Sequence, residues 1–188
     1  MKKTVGIIGN GFVGESQAFA FSPTADVRIY DIDPLRATHT LEETLEQEFI
    51  FVALPTPMGM DGSQDISYIE KFFESITPNE NNIFIIKSTI LPGTTQGLVE
   101  KYGYDIIFCP EFLTERTAKL DMLTQARIIF GGDEKLTHRV EELFTDRFMN
   151  RNIIGITHKS RLNSLIGNIH SVYRLNLFNR TCNIVFTI

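Results

Sequence analysis

Residues 9–14, Gly-Asn-Gly-Phe-Val-Gly, constrain this chain more than any other stretch of it. They follow the apolar run Val5-Gly6-Ile7-Ile8 and precede a segment, Val13 to about Phe21, that reads as a helix. The next apolar run, Val27-Arg28-Ile29-Tyr30, ends at an acid, Asp31. Strand, glycine turn, helix, strand and acid in that order form the layout of a dinucleotide site. Gly9 permits the tight turn, Gly11 lets backbone approach a pyrophosphate, and Gly14 lets helix and strand pack closely. The helix start, with Phe12 and Val13, offers unpaired N–H groups and a positive dipole end to the phosphates. Asp31 is expected to take the adenosine ribose hydroxyls. Its charge repels a 2′-phosphate, so the expected cofactor is NAD rather than NADP.

The bulk properties fit a soluble, enzyme-like domain. With 188 residues, 43% hydrophobic and 22% charged, the chain is long enough for one good core, or one core plus an appendage. A net charge of −5 and the absence of a basic block argue against a nucleic-acid surface. The two cysteines, Cys109 and Cys182, suggest no disulfide framework, and Cys109, at a predicted strand end, reads as a buried structural thiol. Met1-Lys2-Lys3 leads straight into the first strand, with no signal peptide in view. The apolar C-terminal stretch is interrupted by Arg174 and Arg180, so no membrane span is expected. A cytoplasmic location is the default, and no metal site is expected.

Further along, apolar strands alternate with helical segments. Phe49–Leu54 is a continuous buried-type strand stopped by Pro55-Thr56-Pro57. Ile66–Ile76 has apolar residues at helical spacing, Ile83–Ile86 is the next strand, and Thr94–Tyr102 the next helix. Asp105–Phe108 and Arg127–Phe130 follow as strands, with a partly helical Glu111–Met122 between them. Leu136–Phe148 reads as a helix and Ile153–Ile156 as a last short strand. Strands buried on both faces and alternating with helices predict an α/β fold, a Rossmann-type, doubly wound and mostly parallel sheet. The stretch from Asp31 to Phe49 is short for a full crossover, so one helix there is abbreviated or missing.

From His158 to about Asn179, residues Leu162, Leu165, Ile166, Ile169, Val172, Tyr173 and Leu177 recur at helical spacing. They predict a long C-terminal helix of about 30 Å, more than this sheet needs for cover. Its outer part is expected to meet a partner chain or a further domain. The alternative is that the last ~10 residues fold back or fray.

Four more segments carry a family resemblance. Val52-Ala53-Leu54-Pro55-Thr56-Pro57 resembles the strand-end PTP motif of the NAD-dependent UDP-glucose/GDP-mannose dehydrogenases. Lys87-Ser88-Thr89-Ile90-Leu91-Pro92-Gly93-Thr94-Thr95 is similar to that family's STVPPGTT segment, with Leu91 in place of one proline. Cys109-Pro110-Glu111-Phe112-Leu113-Thr114-Glu115 resembles its PEFLxE loop, and Arg127-Ile128-Ile129-Phe130-Gly131 its RIVIG strand. With the glycine turn they stand in the family's order over almost the whole chain.

The resemblance implies oxidation of a sugar nucleotide's C6 alcohol to a carboxylate in two NAD-dependent steps, with a cysteine thiolate holding the aldehyde. It places Pro55 and Thr56, with Pro57, beside the dinucleotide. It makes Thr89 the threonine that positions a catalytic water near the nicotinamide. Glu111 and Glu115 match the loop's two acids, the second implicated in acid/base work with that water; four residues apart, they share one face if the segment is helical. The family's central helix carries a Lys-x-x-x-Asn pair, and two registers are open here. Asn168 with Arg174 and Asn179 puts Ser164 where the lysine belongs and agrees over more positions. Lys159 with Asn163 restores the pair but spoils the downstream match. A serine there lacks the charge that stabilises a developing alkoxide, a loss typically of ~10²–10³ in rate.

The resemblance thus divides the chain into an NAD-binding domain, residues 1–157, and the start of a central dimerisation helix, residues 158–188. Ile188 falls before the family's catalytic cysteine and substrate domain, and Cys182 lacks that cysteine's glycine-rich surroundings. Three readings follow. One is a shortened UDP-sugar dehydrogenase, active alone or completed by another polypeptide, with catalysis expected to be impaired by the missing cysteine region and by the serine at the lysine position. Another is a non-catalytic NAD- or nucleotide-binding module that regulates, or pairs with, a homologue through the tail helix, as an alternative to a homodimer. The third is a relic kept for an interaction surface, which the retained Gly9, Gly11, Gly14 and Asp31 disfavour.

Overall fold

The structure, a computed structural model, describes residues 2–125, 127–148 and 152–156. Seven strands form one sheet in the order β2-β1-β3-β4-β5-β6-β7: β1 Lys3–Ile8, β2 Ala25–Tyr30, β3 Phe49–Val52, β4 Ile83–Ile86, β5 Ile106–Phe108, β6 Arg127–Gly131 and β7 Asn152–Ile156. The helices are α1 Phe12–Phe21, α2 Leu41–Leu45, α3 Ser67–Ser75, α4 Thr94–Tyr102, α5 Ala118–Thr124 and α6 Glu134–Arg147, with a 3₁₀ turn at Glu115–Thr117. The predicted α/β doubly wound architecture is therefore present. β1 to β5 are mutually parallel, β6 meets β5 antiparallel through the single pair Phe108↔Gly131, and β7 runs parallel to β6.

The strands alternate their side chains between two apolar layers, as a period of two requires. Phe49, Phe51, Ile83, Ile85 and Ile107 join one core with α1, α5 and α6, where Phe21 stacks on Phe51 and meets Phe144 edge-on. Ile50, Val52, Phe84, Ile86 and Ile106 join the other, against Ile69, Phe72 and Phe73 of α3 and Leu98 of α4. These strands carry no alternating polar residues because both of their faces are covered.

The expected abbreviation between β2 and β3 is α2. It is five residues long and closed by a capping box in which the Thr40 hydroxyl accepts from Glu43 N–H and the Glu43 carboxylate from Thr40 N–H. After β2 the chain crosses back over β1 to reach β3, so the sheet order reverses between β1 and β3. The crevice above their carboxyl ends is where ligands bind in open α/β sheets. No helix among the described residues is long and apolar enough to cross a membrane. The predicted C-terminal helix, with Lys159, Asn163, Ser164, Asn168 and Cys182, lies outside the described residues.

Candidate dinucleotide site

The glycine turn sits in that crevice. Gly9 leaves β1 at φ +89, a left-handed conformation that favours glycine. A Cβ on it would come within 2.6 Å of the Ala53 carbonyl oxygen, so the turn is pressed directly against the chain leaving β3. A Cβ on Gly14 would run into the Gly9 carbonyl, which fixes how closely α1 docks onto the turn. Gly11 differs from both: nothing lies within 4 Å of the position its Cβ would take. It is the N-cap of α1 with no side-chain cap, and the first backbone bond of the helix runs from Glu15 N–H to Gly11 C=O. The first-turn N–H groups, those of Phe12 and Val13 included, therefore have no helical acceptor and adjoin a cradle that a side chain at position 11 would fill. A pyrophosphate fits this arrangement on both charge and space. Phe12 is 45% exposed at the same rim.

Asp31 follows β2 and reaches the turn from the other side. Its Oδ2 accepts from Asn10 N–H at 2.6 Å and its Oδ1 from Asp33 N–H at 2.9 Å. The carboxylate is thus pinned by backbone, with lone pairs on both oxygens left for ribose hydroxyls. The neighbouring Asn10 amide donates to Arg36 C=O at 2.7 Å, while its buried Oδ1 has no partner among the described residues.

The segments after β3 and β4 are tied together. Thr56 Oγ1 donates to Thr89 C=O at 2.7 Å, so its hydroxyl does more than end a strand. Gln64, to which the sequence drew no attention, clamps the same stretch: its Nε2 donates to Thr89 C=O at 2.8 Å and its Oε1 accepts from Leu91 N–H at 2.9 Å. Pro55 and Thr89 are exposed at this edge.

The loop after β5 is partly helical, as expected, but the helical part starts too late for a shared face. Glu111 and Glu115 do not share a helical face, because only Glu115–Thr117 forms a turn, and a 3₁₀ one, with Glu111 ahead of it outside any helix. Glu115 is exposed, whereas the Glu111 side chain is 5% exposed and its Oε2 lies 2.7 Å from Lys87 Nζ, itself 2% exposed. Gln17 of α1 donates to the same oxygen at 2.6 Å, and Lys87 also donates to Cys109 Sγ at 3.2 Å. Burial works against the Lys87 ammonium, but Cys109 and then Glu111 outweigh it and hold its pKa above the ordinary lysine value. Burial pushes the Cys109 thiol up, and the side chain is closed to solvent, as its position at a strand end suggested. The one sign of Lys87 in the sequence was a lysine directly after a strand buried on both faces.

A second hollow, about 620 Å³, opens at the amino ends of the strands, far from these turns. There Asn79 and Asn82 donate to the Leu45 and Gln47 carbonyls and close the chain on itself. Among the described residues no cluster of His, Cys, Asp or Glu is suited to a metal ion.

Comparisons with known proteins agree with this geometry. The profile of the UDP-glucose/GDP-mannose dehydrogenase family, NAD binding domain, matches residues 28–148. UDP-glucose 6-dehydrogenase AglM of Haloferax volcanii is 32% identical over 138 residues, covering 65% of this chain and 31% of that protein. A UDP-glucose 6-dehydrogenase of Streptococcus pneumoniae is 30% identical over 170 residues, covering 72% of this chain and 43% of that one. A UDP-glucose dehydrogenase structure from Pyrobaculum islandicum superposes with a TM-score of 0.74 at 21% identity, over 95% of this chain and 52% of that chain. A GDP-mannose dehydrogenase structure from Pseudomonas aeruginosa does so with a TM-score of 0.70 at 20% identity, over the same shares of the two chains. The chain thus spans less than half the length of these curated relatives. The profile match begins inside β2, and the fold adds the glycine turn that precedes it. The cofactor is NAD, and the chain belongs to the UDP-glucose/GDP-mannose dehydrogenase family, of which it carries the NAD-binding domain.

Proposed function

We propose that this cytoplasmic chain is the NAD-holding part of an enzyme that oxidises the C6 alcohol of a UDP-sugar or related nucleotide sugar. One observation carries the reading: the glycine turn, the Pro55-Thr56-Pro57 segment, Thr89 and the Glu111–Glu115 loop all stand at the carboxyl ends of β1, β3, β4 and β5. NAD, when bound, accepts the hydride. The open cradle at Gly11 and the first turn of α1 take the pyrophosphate, Asp31 takes the ribose hydroxyls, and Pro55 and Thr56 flank the dinucleotide. Thr89 positions a water at the reacting carbon. Glu115, exposed and at the start of its turn, exchanges protons with that water, while Glu111 anchors the loop. Asn168 is the proposed oxyanion donor, and residues 158–188 are the proposed surface for a homodimer or for pairing with a homologue.

The burial of Cys109 favours a second reading. Bonded to Lys87 and closed to solvent, Cys109 is a structural thiol and offers no nucleophile for the aldehyde-to-acid step. On this reading the chain binds NAD without completing the oxidation and acts as a regulatory or partner-binding module.

Calorimetry with NAD and NADH absorbance with UDP-glucose and NAD separate the two. Turnover supports the enzyme. Binding without turnover supports the module over an enzyme active on its own, and no heat at millimolar NAD removes both. Gly11→Val is expected to fold normally and lose NAD binding, and unchanged affinity would show that the cradle takes no pyrophosphate.

A further inference from the structure

The cluster around Glu111 joins three segments that are remote in sequence and adjacent at the crevice. Lys87 leaves β4 two residues before Thr89, Glu111 precedes Glu115 by four, and Gln17 lies on α1 one turn beyond the residues that face the pyrophosphate. Glu111 Oε2 takes the Lys87 ammonium at 2.7 Å and the Gln17 amide at 2.6 Å, and Glu111 Oε1 accepts Phe112 N–H at 3.2 Å. A buried ion pair is a poor way to add stability, since apolar residues of similar volume do as well or better. Gln17 makes the same point more sharply. It is fully buried, and among the described residues its Oε1 has no partner and its Nε2 meets only Glu111 and, at 3.3 Å, Met122 Sδ. A leucine would fill that space without an unpaired acceptor. What glutamine adds is a directed N–H from the cofactor helix to the loop carboxylate.

We propose that Lys87 and Gln17 are positioning residues: through Glu111 they fasten the Glu115 loop and the end of β4 to α1, so that NAD in the glycine turn orders the loop that faces the substrate. The role given to that loop rests on the function proposed above; the fastening itself does not. Coupling of this kind runs through a charged group bonded from both sides, whose arrangement either neighbour biases.

The test is amide hydrogen exchange at Phe112–Thr117 in the full chain, with and without NAD. In the wild type, NAD is expected to slow exchange there by about fivefold or more. Gln17→Leu is expected to keep its Tm, lose that NAD-dependent slowing, and bind NAD more weakly by the same factor, because coupling is reciprocal. Lys87→Met is expected to speed exchange at the loop before any NAD is added, and the Lys87→Met/Glu111→Leu double variant to recover Tm without recovering the NAD response. A purely structural pair would move Tm and leave the NAD response intact. Equal NAD-dependent slowing in Gln17→Leu and wild type, or none in a wild type that binds NAD, overturns the proposal. Should the wild type bind no NAD, the functional reading fails and NAD-free exchange decides the fastening: loop exchange unchanged in both Gln17→Leu and Lys87→Met overturns it. If Lys87→Met does not fold, Gln17→Leu alone decides.

Discussion

The glycine turn after β1 and the loop after β5 flank one crevice, and they are made of different material. The turn is built from backbone: a left-handed residue at Gly9, a contact too close for any side chain at Gly14, and an open cradle at Gly11. The loop is built from side chains: Glu111 held by a lysine from β4 and a glutamine from α1. Backbone geometry leaves a spaced signature, because few residues besides glycine satisfy it. A buried charge pair leaves none, because its members are 24 positions apart and each is an ordinary polar residue in its own neighbourhood.

The comparison is sharpened first at Gly14. Gly14→Ala is expected to exceed the ~1–3 kcal/mol usual for overpacking, since the obstacle is a backbone carbonyl rather than a flexible side chain. Urea denaturation showing a stability close to wild type would mean that α1 docks with slack and that the turn is less rigid than drawn. Next comes the loop. Lys87→Met leaves the Glu111 carboxylate buried without its cation, with an expected cost of about 3–5 kcal/mol. A cost below ~1 kcal/mol, the range of exposed pairs, would place the two charges in water and erase the contrast.

The smallest effect is one of pH. The Cys109 thiol is raised above its ordinary 9.0 and the Lys87 ammonium above its ordinary 10.5. Both keep protons in the native state at pH values where the unfolded chain releases them. The native state then binds more protons, and stability falls as pH rises. The fall begins near pH 9 with the thiol and continues above 10.5 with the lysine. Cys109→Ala is expected to remove the first part of that slope in thermal melts taken across the range. An identical slope in the variant would assign it elsewhere.

Much of the fold was legible in the sequence for the same physical reason that the turn was. β4 at Ile83–Ile86 and α4 at Thr94–Tyr102 coincide with the predicted segments because uniform apolar runs and glycine or proline stops are local signals. The reading of β3 as Phe49–Leu54 ran two residues past its end at Val52, although Ala53 N–H still donates to Ile8 C=O at 2.8 Å. In the candidate site, the glycine turn and Asp31 meet through Asn10 N–H, which donates to the Asp31 carboxylate. The loop after β5 was legible in part: the expected partial helix starts only at Glu115, so the condition for a shared face with Glu111 is not met, and a contact from β4 takes Glu111 into the interior. Gln17 and Gln64 gave no signal because a glutamine's hydrogen-bond partners are set by tertiary approach, not by its neighbours in the chain.

Gly11 has a consequence for how such a chain drifts under mutation. Its φ of −73 is open to any residue, its surroundings leave room for a side chain, and serine, asparagine or aspartate would cap α1 better. Folding alone therefore gives no reason to hold glycine there, whereas it holds Gly9 and Gly14 firmly. A lineage that had given up its dinucleotide would be free to exchange this residue and keep the other two. Position 11 thus works as a record of use, the place where loss of the ligand is written before loss of the fold.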